Sequence, residues 1–202
     1  MIGVIDYNVG NIVAISNLLQ KIGVTFKRIS SPKDVHGIPL EELKVILPGV
    51  GSFDSGMRSL GQSGLQQVIT ELAHSQVQIL GICLGMQLLF EESAEGILPG
   101  LGLLKGSLVA LKGDDTFRVP HVGWQVVNKL REEPLLEGVQ KLSFYHNHSF
   151  GLRIPCEGAF ASIDYGSSYA VGVRKGNVSG VQFHPEKSHG SGERLMRNFL
   201  RI

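Results

Sequence analysis

Residues 77–90, Val-Gln-Ile-Leu-Gly-Ile-Cys-Leu-Gly-Met-Gln-Leu-Leu-Phe, place the tightest constraint on the fold. The first half is an apolar run of strand length and the second an apolar, Met- and Leu-rich stretch of helical character, so a buried strand must become a helix at Cys83. Gly81 and Gly85 stand two residues to either side of that cysteine. Glycine inside a strand or helix costs about 0.5–1 kcal/mol, so a glycine on each side signals a tight turn or a close backbone approach. Gly-x-Cys-x-Gly is the cysteine counterpart of the Gly-x-Ser-x-Gly turn that lifts a nucleophile above a sheet edge. A helix starting at the cysteine aims unpaired N–H groups and the positive end of its dipole at the sulfur, which favours thiolate. Without the two glycines, a cysteine in such a run reads as inert core.

The rest of the chain repeats the strand-then-helix pattern. Ile2 to Asp6 reads as a strand, and Gly10-Asn11 opens a helical apolar pattern (Ile12, Ile15, Leu18, Leu19, Ile22) closed by Gly23. Val24–Ile29 and Lys44–Leu47 are two further strands, the second running into Pro48-Gly49-Val50-Gly51. Ser52 or Asp54 caps a helical region from about Met57 to Ala73, interrupted by Gly61 and Gly64. This alternation predicts an α/β fold with a doubly wound parallel sheet, whose ligands bind at the carboxyl ends of the strands. Cys83 and Pro48 to Gly51 both lie at that edge. After Glu95 come short strand-like runs at 100–111, 123–127, 142–145 and 159–163. A hairpin follows, Tyr169 to Arg174 with Val178 to Phe183, and then a terminal helix from about Ser191 to Leu200.

At 202 residues the chain is read as a single domain, 1–202, with a core of its own. A net charge of +1 provides no basic excess for nucleic acid or an anionic membrane surface. The start Met-Ile-Gly-Val-Ile-Asp lacks a basic leader and no apolar run reaches the roughly 18 residues of a membrane span, so a cytoplasmic protein is expected. Cys83 and Cys156 form no paired motif, in keeping with a reducing compartment.

A nucleophilic thiol needs a proton acceptor within ~3 Å, and that acceptor needs a third group to fix its tautomer. His184, at the end of the Val-Gln-Phe run and followed by Pro185 and Glu186, supplies both. Cys83, His184 and Glu186 therefore form a candidate triad, although His-Pro-Glu alone would be only a turn after an edge strand. Pro48-Gly49-Val50-Gly51 is either a plain strand-ending turn or a donor of backbone N–H groups to an oxyanion. His146 and His148 project from one strand face, but no acidic or cysteine ligand lies at short spacing, so a substrate-facing strand end is preferred and no metal is expected. No Gly-Lys dipeptide exists for a phosphate loop, and no Gly-x-Gly-x-x-Gly follows the first strand. No cofactor is expected.

Gly81-Ile82-Cys83-Leu84-Gly85-Met86-Gln87 together with Val181-Gln182-Phe183-His184-Pro185-Glu186 resembles the class I glutamine amidotransferases. Asp6-Tyr7 with Gly10-Asn11, residues 48–53, Val119-Pro120-His121-Val122-Gly123-Trp124 and His184-Pro185-Glu186-Lys187-Ser188 narrow the likeness to the glutaminase subunits of imidazole glycerol phosphate synthases, across essentially the whole chain. The resemblance implies a mixed, mostly parallel, flavodoxin-like sheet with flanking helices. It further implies that Cys83 attacks the carboxamide of L-glutamine, that His184 moves the proton and that Glu186 orients His184. Gly49, Val50, Gly51 and the Leu84 amide would form the oxyanion site, while Gln87, Glu95, His148 and Ser149 would hold glutamine. The implied partner is a cyclase subunit in a heterodimer, docked on a face including His121, Trp124, Gln125 and Lys187. That partner would use the ammonia to make imidazole glycerol phosphate and an aminoimidazole carboxamide ribotide in histidine biosynthesis.

The chain departs from the family in three places. Asn8 stands where Gly is usual, Gln125 where Asn is usual, and Tyr145-His146-Asn147-His148-Ser149-Phe150 where a Tyr-Phe-Val-His-Ser-Tyr type run is usual. Asn tolerates a left-handed turn. The other changes fall on the glutamine and partner side and leave as the alternative a paralogous glutaminase that feeds a sugar-amidating partner in surface-polysaccharide biosynthesis.

Overall fold

Four short strands of four or five residues build the parallel half of the sheet: β1 (Ile2–Ile5), β2 (Phe26–Ile29), β3 (Lys44–Leu47) and β4 (Gln78–Ile82); all are mainly apolar except the edge strand β2, whose Lys27 and Arg28 are exposed. The computed structural model describes every residue from Met1 to Ile202. The remaining strands are β5 (Glu92–Ser93), β6 (Ser107–Ala110), β7 (His121–Val126), β8 (Asn128–Lys129), β9 (Ser143–His148), β10 (Phe150–Arg153), β11 (Ala159–Asp164), β12 (Ser168–Lys175) and β13 (Val178–Val181). The helices are α1 (Ile12–Lys21), α2 (Phe53–Ser63), α3 (Leu65–His74), α4 (Leu84–Leu88) and α5 (His189–Phe199).

The main sheet runs β2-β1-β3-β4-β13-β12-β10-β6-β5, with β11 and β8 branching from β12. All ladders from β2 to β13 are parallel, whereas β12, β10 and β6 continue antiparallel. The sheet is thus mixed, and the half that ends at the cysteine is the parallel one. Period-2 alternation sends Ile5, Val45, Leu47 and Ile79 into one apolar cluster and Val4, Ile46, Leu80 and Ile82 into another. Side chains of α2, α3 and α4 complete the first cluster, and those of α1 and α5 the second, so both sheet faces are covered. Helix α1 starts where Asn11 accepts from the Ala14 N–H at 3.2 Å and buries Ile15, Leu18 and Leu19.

The helical region expected from Met57 to Ala73 is two helices. Gly64 adopts φ 72°, the left-handed conformation that ends α2, and α3 starts at the next residue. Strand β10 was not expected from sequence. Strands β7 and β9 pair only with each other, as an antiparallel ribbon outside the main sheet. The ribbon is tied to the end of β13: the His184 N–H donates to the Tyr145 carbonyl at 2.9 Å and the Tyr145 N–H donates to Ser188 Oγ at 3.0 Å.

Candidate active site

Cys83 sits between β4 and α4 with φ 53° and ψ −112°, a conformation costing a non-glycine residue about 1–3 kcal/mol unless its surroundings enforce it. Those surroundings are two backbone crossings. A Cβ on Gly81 would lie 2.7 Å from both the Gly85 oxygen and the Met86 nitrogen, and one on Gly85 would lie 2.7 Å from the Leu47 carbonyl carbon. The glycine pair is therefore required by close approach. It lets the turn wedge under the end of β3 and present the sulfur at the carboxyl edge of the sheet. Helix α4 is only five residues long, shorter than the sequence suggested.

His184 follows β13, the parallel neighbour of β4, in which Val181 lies opposite Ile82. Its Nδ1 lies 2.7 Å from Glu186 Oε1, and both side chains are 2% exposed. Burial pulls its proton affinity down, but the Cys83 sulfur and the Glu186 carboxylate outweigh this and push its pKa up to about 10. His184 Nε2 has no well-formed hydrogen bond. The set is a positive imidazole held between a sulfur and a carboxylate.

A cavity of about 270 Å³ opens over the sulfur, lined by Val50, Gly51, Cys83, Leu84, Gln87, Glu95, Pro120, Asn147, His148, Ser149, Phe150 and His184. That volume suits a ligand of amino-acid size. The structure thus gathers around one cavity Val50, Gly51, Leu84, Gln87, Glu95, His148 and Ser149, which are far apart in sequence. Gly49 is the exception. It packs behind the wall, where a Cβ would lie 2.9 Å from the Gly85 nitrogen and the Leu84 Cβ, so only Val50 and Gly51 of that turn face the cavity. The turn is pinned by the Tyr7 hydroxyl, which donates to the Pro48 carbonyl at 2.9 Å. Burial, with the nearby Cys83 charge, raises the Tyr7 pKa and keeps this phenol neutral.

Two sets of contacts bear on the residues expected at the substrate. The Gln87 amide donates to Gln182 Oε1 at 3.0 Å and to the Phe150 carbonyl at 3.3 Å, while Gln182 Nε2 donates to the Cys83 sulfur at 3.8 Å. Gln182 is fully buried and was missed, although a glutamine inside the Val-Gln-Phe strand run was the visible signal. Glu95 accepts the Phe53 N–H at 2.8 Å and so caps the start of α2 at the cavity rim.

The face expected to meet a partner is divided by the pleat of β7. Val122, Trp124 and Val126 are exposed, Trp124 at 48%, whereas Gln125 is half-buried and His121 is 4% exposed. His121 thus turns inward, and Val122 and Val126 take its place outside. Lys187 is exposed and its ammonium lies 5.2 Å from the Tyr145 ring centroid, on the same side as Trp124, which packs against Tyr145. Asn8 has φ 64°, the left-handed conformation it was expected to tolerate.

Inward His121 joins His146 and His148. Burial, reinforced by the other histidines, pushes the His146 pKa down to about 2. The His148 pKa falls to about 4, mainly by burial, although a hydrogen bond to the Phe150 carbonyl partly opposes the shift. Burial also lowers that of His121. The three rings offer ligand atoms within 4.8 Å of one another and are the residues able to hold a metal ion. The sequence paired only His146 with His148, because His121 arrives through the β7–β9 register.

Residues 3–202 match the family Glutamine amidotransferase class-I. The chain is 41% identical over 206 residues to imidazole glycerol phosphate synthase subunit HisH 2 of Pseudomonas aeruginosa, covering all of both proteins. It is 43% identical over 208 residues to the HisH subunit of Bacillus subtilis, covering all of this chain and 96% of that one. A solved glutamine amidotransferase superposes with a TM-score of 0.76 at 21% identity, over 99% of this chain and 97% of the other, and PurLQS from Thermotoga maritima with 0.72 at 22%, over 99% and 97%. These two likenesses concern the fold. No helix is long and apolar enough to cross a membrane.

Proposed function

The chain belongs to the class I glutamine amidotransferase family, and from that premise we infer that it is the glutaminase subunit of an imidazole glycerol phosphate synthase. It hydrolyses L-glutamine to glutamate and ammonia and passes the ammonia to a cyclase subunit in histidine biosynthesis. The observation that carries this reading is the strained Cys83 facing a His184 that is paired with Glu186, at the floor of a cavity of amino-acid size. Its place is the cytoplasm.

The chemistry follows from the geometry. The Cys83 sulfur attacks the carboxamide carbon of glutamine, and the oxyanion formed draws on backbone N–H groups of the Val50–Gly51 turn and of Leu84. His184 gives its proton to the departing nitrogen, ammonia leaves, and a glutamyl thioester remains on Cys83. Water then loses a proton to His184 and attacks the thioester, which releases glutamate and returns the sulfur and imidazole to their starting charges. Glu186 holds the Nδ1 proton through both halves. Glu95, His148 and Ser149 hold the substrate, and Gln87 supports the wall through Gln182 and Phe150. The exposed Val122, Trp124 and Val126 row with Lys187 receives the cyclase.

The test assays wild type and Cys83→Ala with glutamine alone, with the histidine-pathway cyclase and its ribotide ligand, and with a sugar-amidating partner. Wild type should be nearly idle alone and stimulated roughly 100-fold or more by the cyclase pair, the worth of one aligned oxyanion donor. Cys83→Ala should lose glutamine hydrolysis while its complex still uses added ammonium. Stimulation by the sugar-amidating partner alone would reassign the pathway, and glutaminase activity in Cys83→Ala would reject the nucleophile.

A further inference from the structure

Three histidines beside the cavity take no part in the steps above except through His148, and their arrangement has a second use. His121 lies opposite His148 in the β7–β9 ladder, and His146 lies two residues along β9 on the same face, opposite Gly123, which has no side chain to fill the space. The ring centroids are 4.8, 5.3 and 5.4 Å apart. Three imidazoles bonded at ~2.0–2.1 Å to one tetrahedral ion have centroids roughly 5 Å apart.

The nitrogens agree with the rings. His146 Nδ1 and His148 Nε2 are 3.3 Å apart, close to the separation of two ligands on such an ion. His148 Nδ1 donates to the Phe150 carbonyl at 2.9 Å, which leaves the Nε2 lone pair facing His146. Outer hydrogen bonds of this kind fix the tautomer of metal-bound histidines. A direct hydrogen bond between His146 and His148 explains the pair but not the remainder. His121 Nδ1 is buried without any partner, in a side chain 4% exposed. An unpaired polar atom inside a protein costs about 1–3 kcal/mol, so this orphaned nitrogen beside the His146–His148 pair marks a place built for a further ligand. The acceptable ion is defined by the donors: an all-imidazole set with no carboxylate suits zinc, copper, nickel or cobalt and not magnesium or calcium.

We propose that His121, His146 and His148 bind one first-row divalent ion such as Zn²⁺, and that its occupation shuts off glutamine hydrolysis. The second half rests on the glutaminase reading; the first does not. His148 lines the cavity over Cys83, so coordination withdraws its ring from substrate and sets a dication at the cavity wall. The ring of His121 closes the gap, since the ligand atoms now span up to 4.8 Å.

The test begins with chelator-stripped full-length Cys83→Ala, which keeps the three histidines and lacks the thiolate that would otherwise attract the ion. Titration with Co²⁺, followed by visible absorption, should show one tetrahedral ion per chain without a sulfur charge-transfer band. Adding His146→Phe should weaken binding at least about 100-fold, more than the 10- to 100-fold that loss of an outer partner costs. The Co²⁺ spectrum of Cys83→Ala decides the site even if His146→Phe fails to fold. Absence of binding, binding indifferent to His146→Phe, or an ion held only when Cys83 is present would each overturn the site. For the second half, one equivalent of Zn²⁺ should lower the turnover of the wild-type complex at least about 10-fold. A chelator should restore it, and His146→Phe should escape it. Undiminished turnover with the ion bound would reject the shut-off and leave the site standing. A chain that binds Co²⁺ but never hydrolyses glutamine would instead refute the glutaminase reading.

Discussion

Gly85→Ala sets two effects against each other, and the structure decides between them. Gly85 is the second residue of α4, where helix propensity alone favours alanine by about 1 kcal/mol. The added Cβ, however, would lie 2.7 Å from the Leu47 carbonyl carbon, about 0.7 Å inside an ordinary contact, and closer still to the carbonyl oxygen. A flexible side chain could turn away, but this group is backbone at the end of a central strand. Overpacking of this kind costs typically about 1–3 kcal/mol, and a carbonyl that cannot rotate belongs at the upper end, so a net loss of about 2 kcal/mol is expected. The distortion falls on the turn that carries Cys83. A shift of about 1 Å in a reacting group costs on the order of 100-fold in rate, so turnover should fall at least that far. Urea unfolding and glutamine hydrolysis in the assembled complex measure the two losses. Gly61→Ala is the control: this exposed position in α2 has only the Gln66 side chain, 3.6 Å away, near its added Cβ, and should gain about 0.5–1 kcal/mol with unchanged turnover. A Gly85→Ala protein as stable and active as wild type would refute the account of why the glycine pair exists.

His184→Ala should cost several orders of magnitude in kcat and Glu186→Gln less, because Gln at position 186 can still accept from Nδ1 but no longer offsets a positive ring; equal losses in steady-state assays would show that Glu186 does more than orient. Stability should fall as the pH drops below about 6.5. His146 and His148 bind a proton in the unfolded chain at their ordinary pKa but resist it in the fold down to about 2 and about 4, so each ring contributes a loss of up to about 1.4 kcal/mol per pH unit within its window. Thermal melts from pH 7.5 to 4.5 measure the slope, which His146→Phe should make shallower; an unchanged slope would mean that His146 is accessible to protons in the fold.

What the sequence revealed and what it concealed divide by range. The strand-turn-helix at Cys83, the turn after Leu47 and the His184-Pro185-Glu186 end were legible because each is written in local chemistry: apolar period, glycine spacing and proline. The helical region expected at 57–73, with Gly61 and Gly64 as its interruptions, divides at Gly64, whose left-handed φ the chain uses as a stop, whereas Gly61 is tolerated inside α2 and the start, at Phe53, lies four residues earlier than expected. Strand β10, the inward turn of His121 and the part played by Gln182 depend on pairing between residues far apart. Even there a local clue existed, since Val122, Trp124 and Val126 alternate with His121, Gly123 and Gln125, and one face of that pattern is apolar and exposed. The sequence could not say which face would be covered.

The same range argument explains how one chain tells its histidines apart. Cys83 and His184 are 101 positions apart, yet their strands pair in parallel with Val181 opposite Ile82, so both side chains emerge at one sheet edge. Strand β9 then crosses that edge, bridged to His184 through Tyr145, and brings His146 and His148 into the same buried region. Burial opposes a positive charge on every one of these rings. It prevails at His146 and His148, whose titratable neighbours are other histidines, and it loses at His184, which faces a sulfur and a carboxylate. The proton is therefore concentrated on one imidazole, as the proposed mechanism requires, and the uncharged ones around it keep their lone pairs. The Cys83 sulfur makes that difference first, and Glu186, two residues away in sequence, adds to it. A base with a raised pKa and a set of neutral nitrogen donors arise side by side from one residue type, sorted by which anions the topology places next to each.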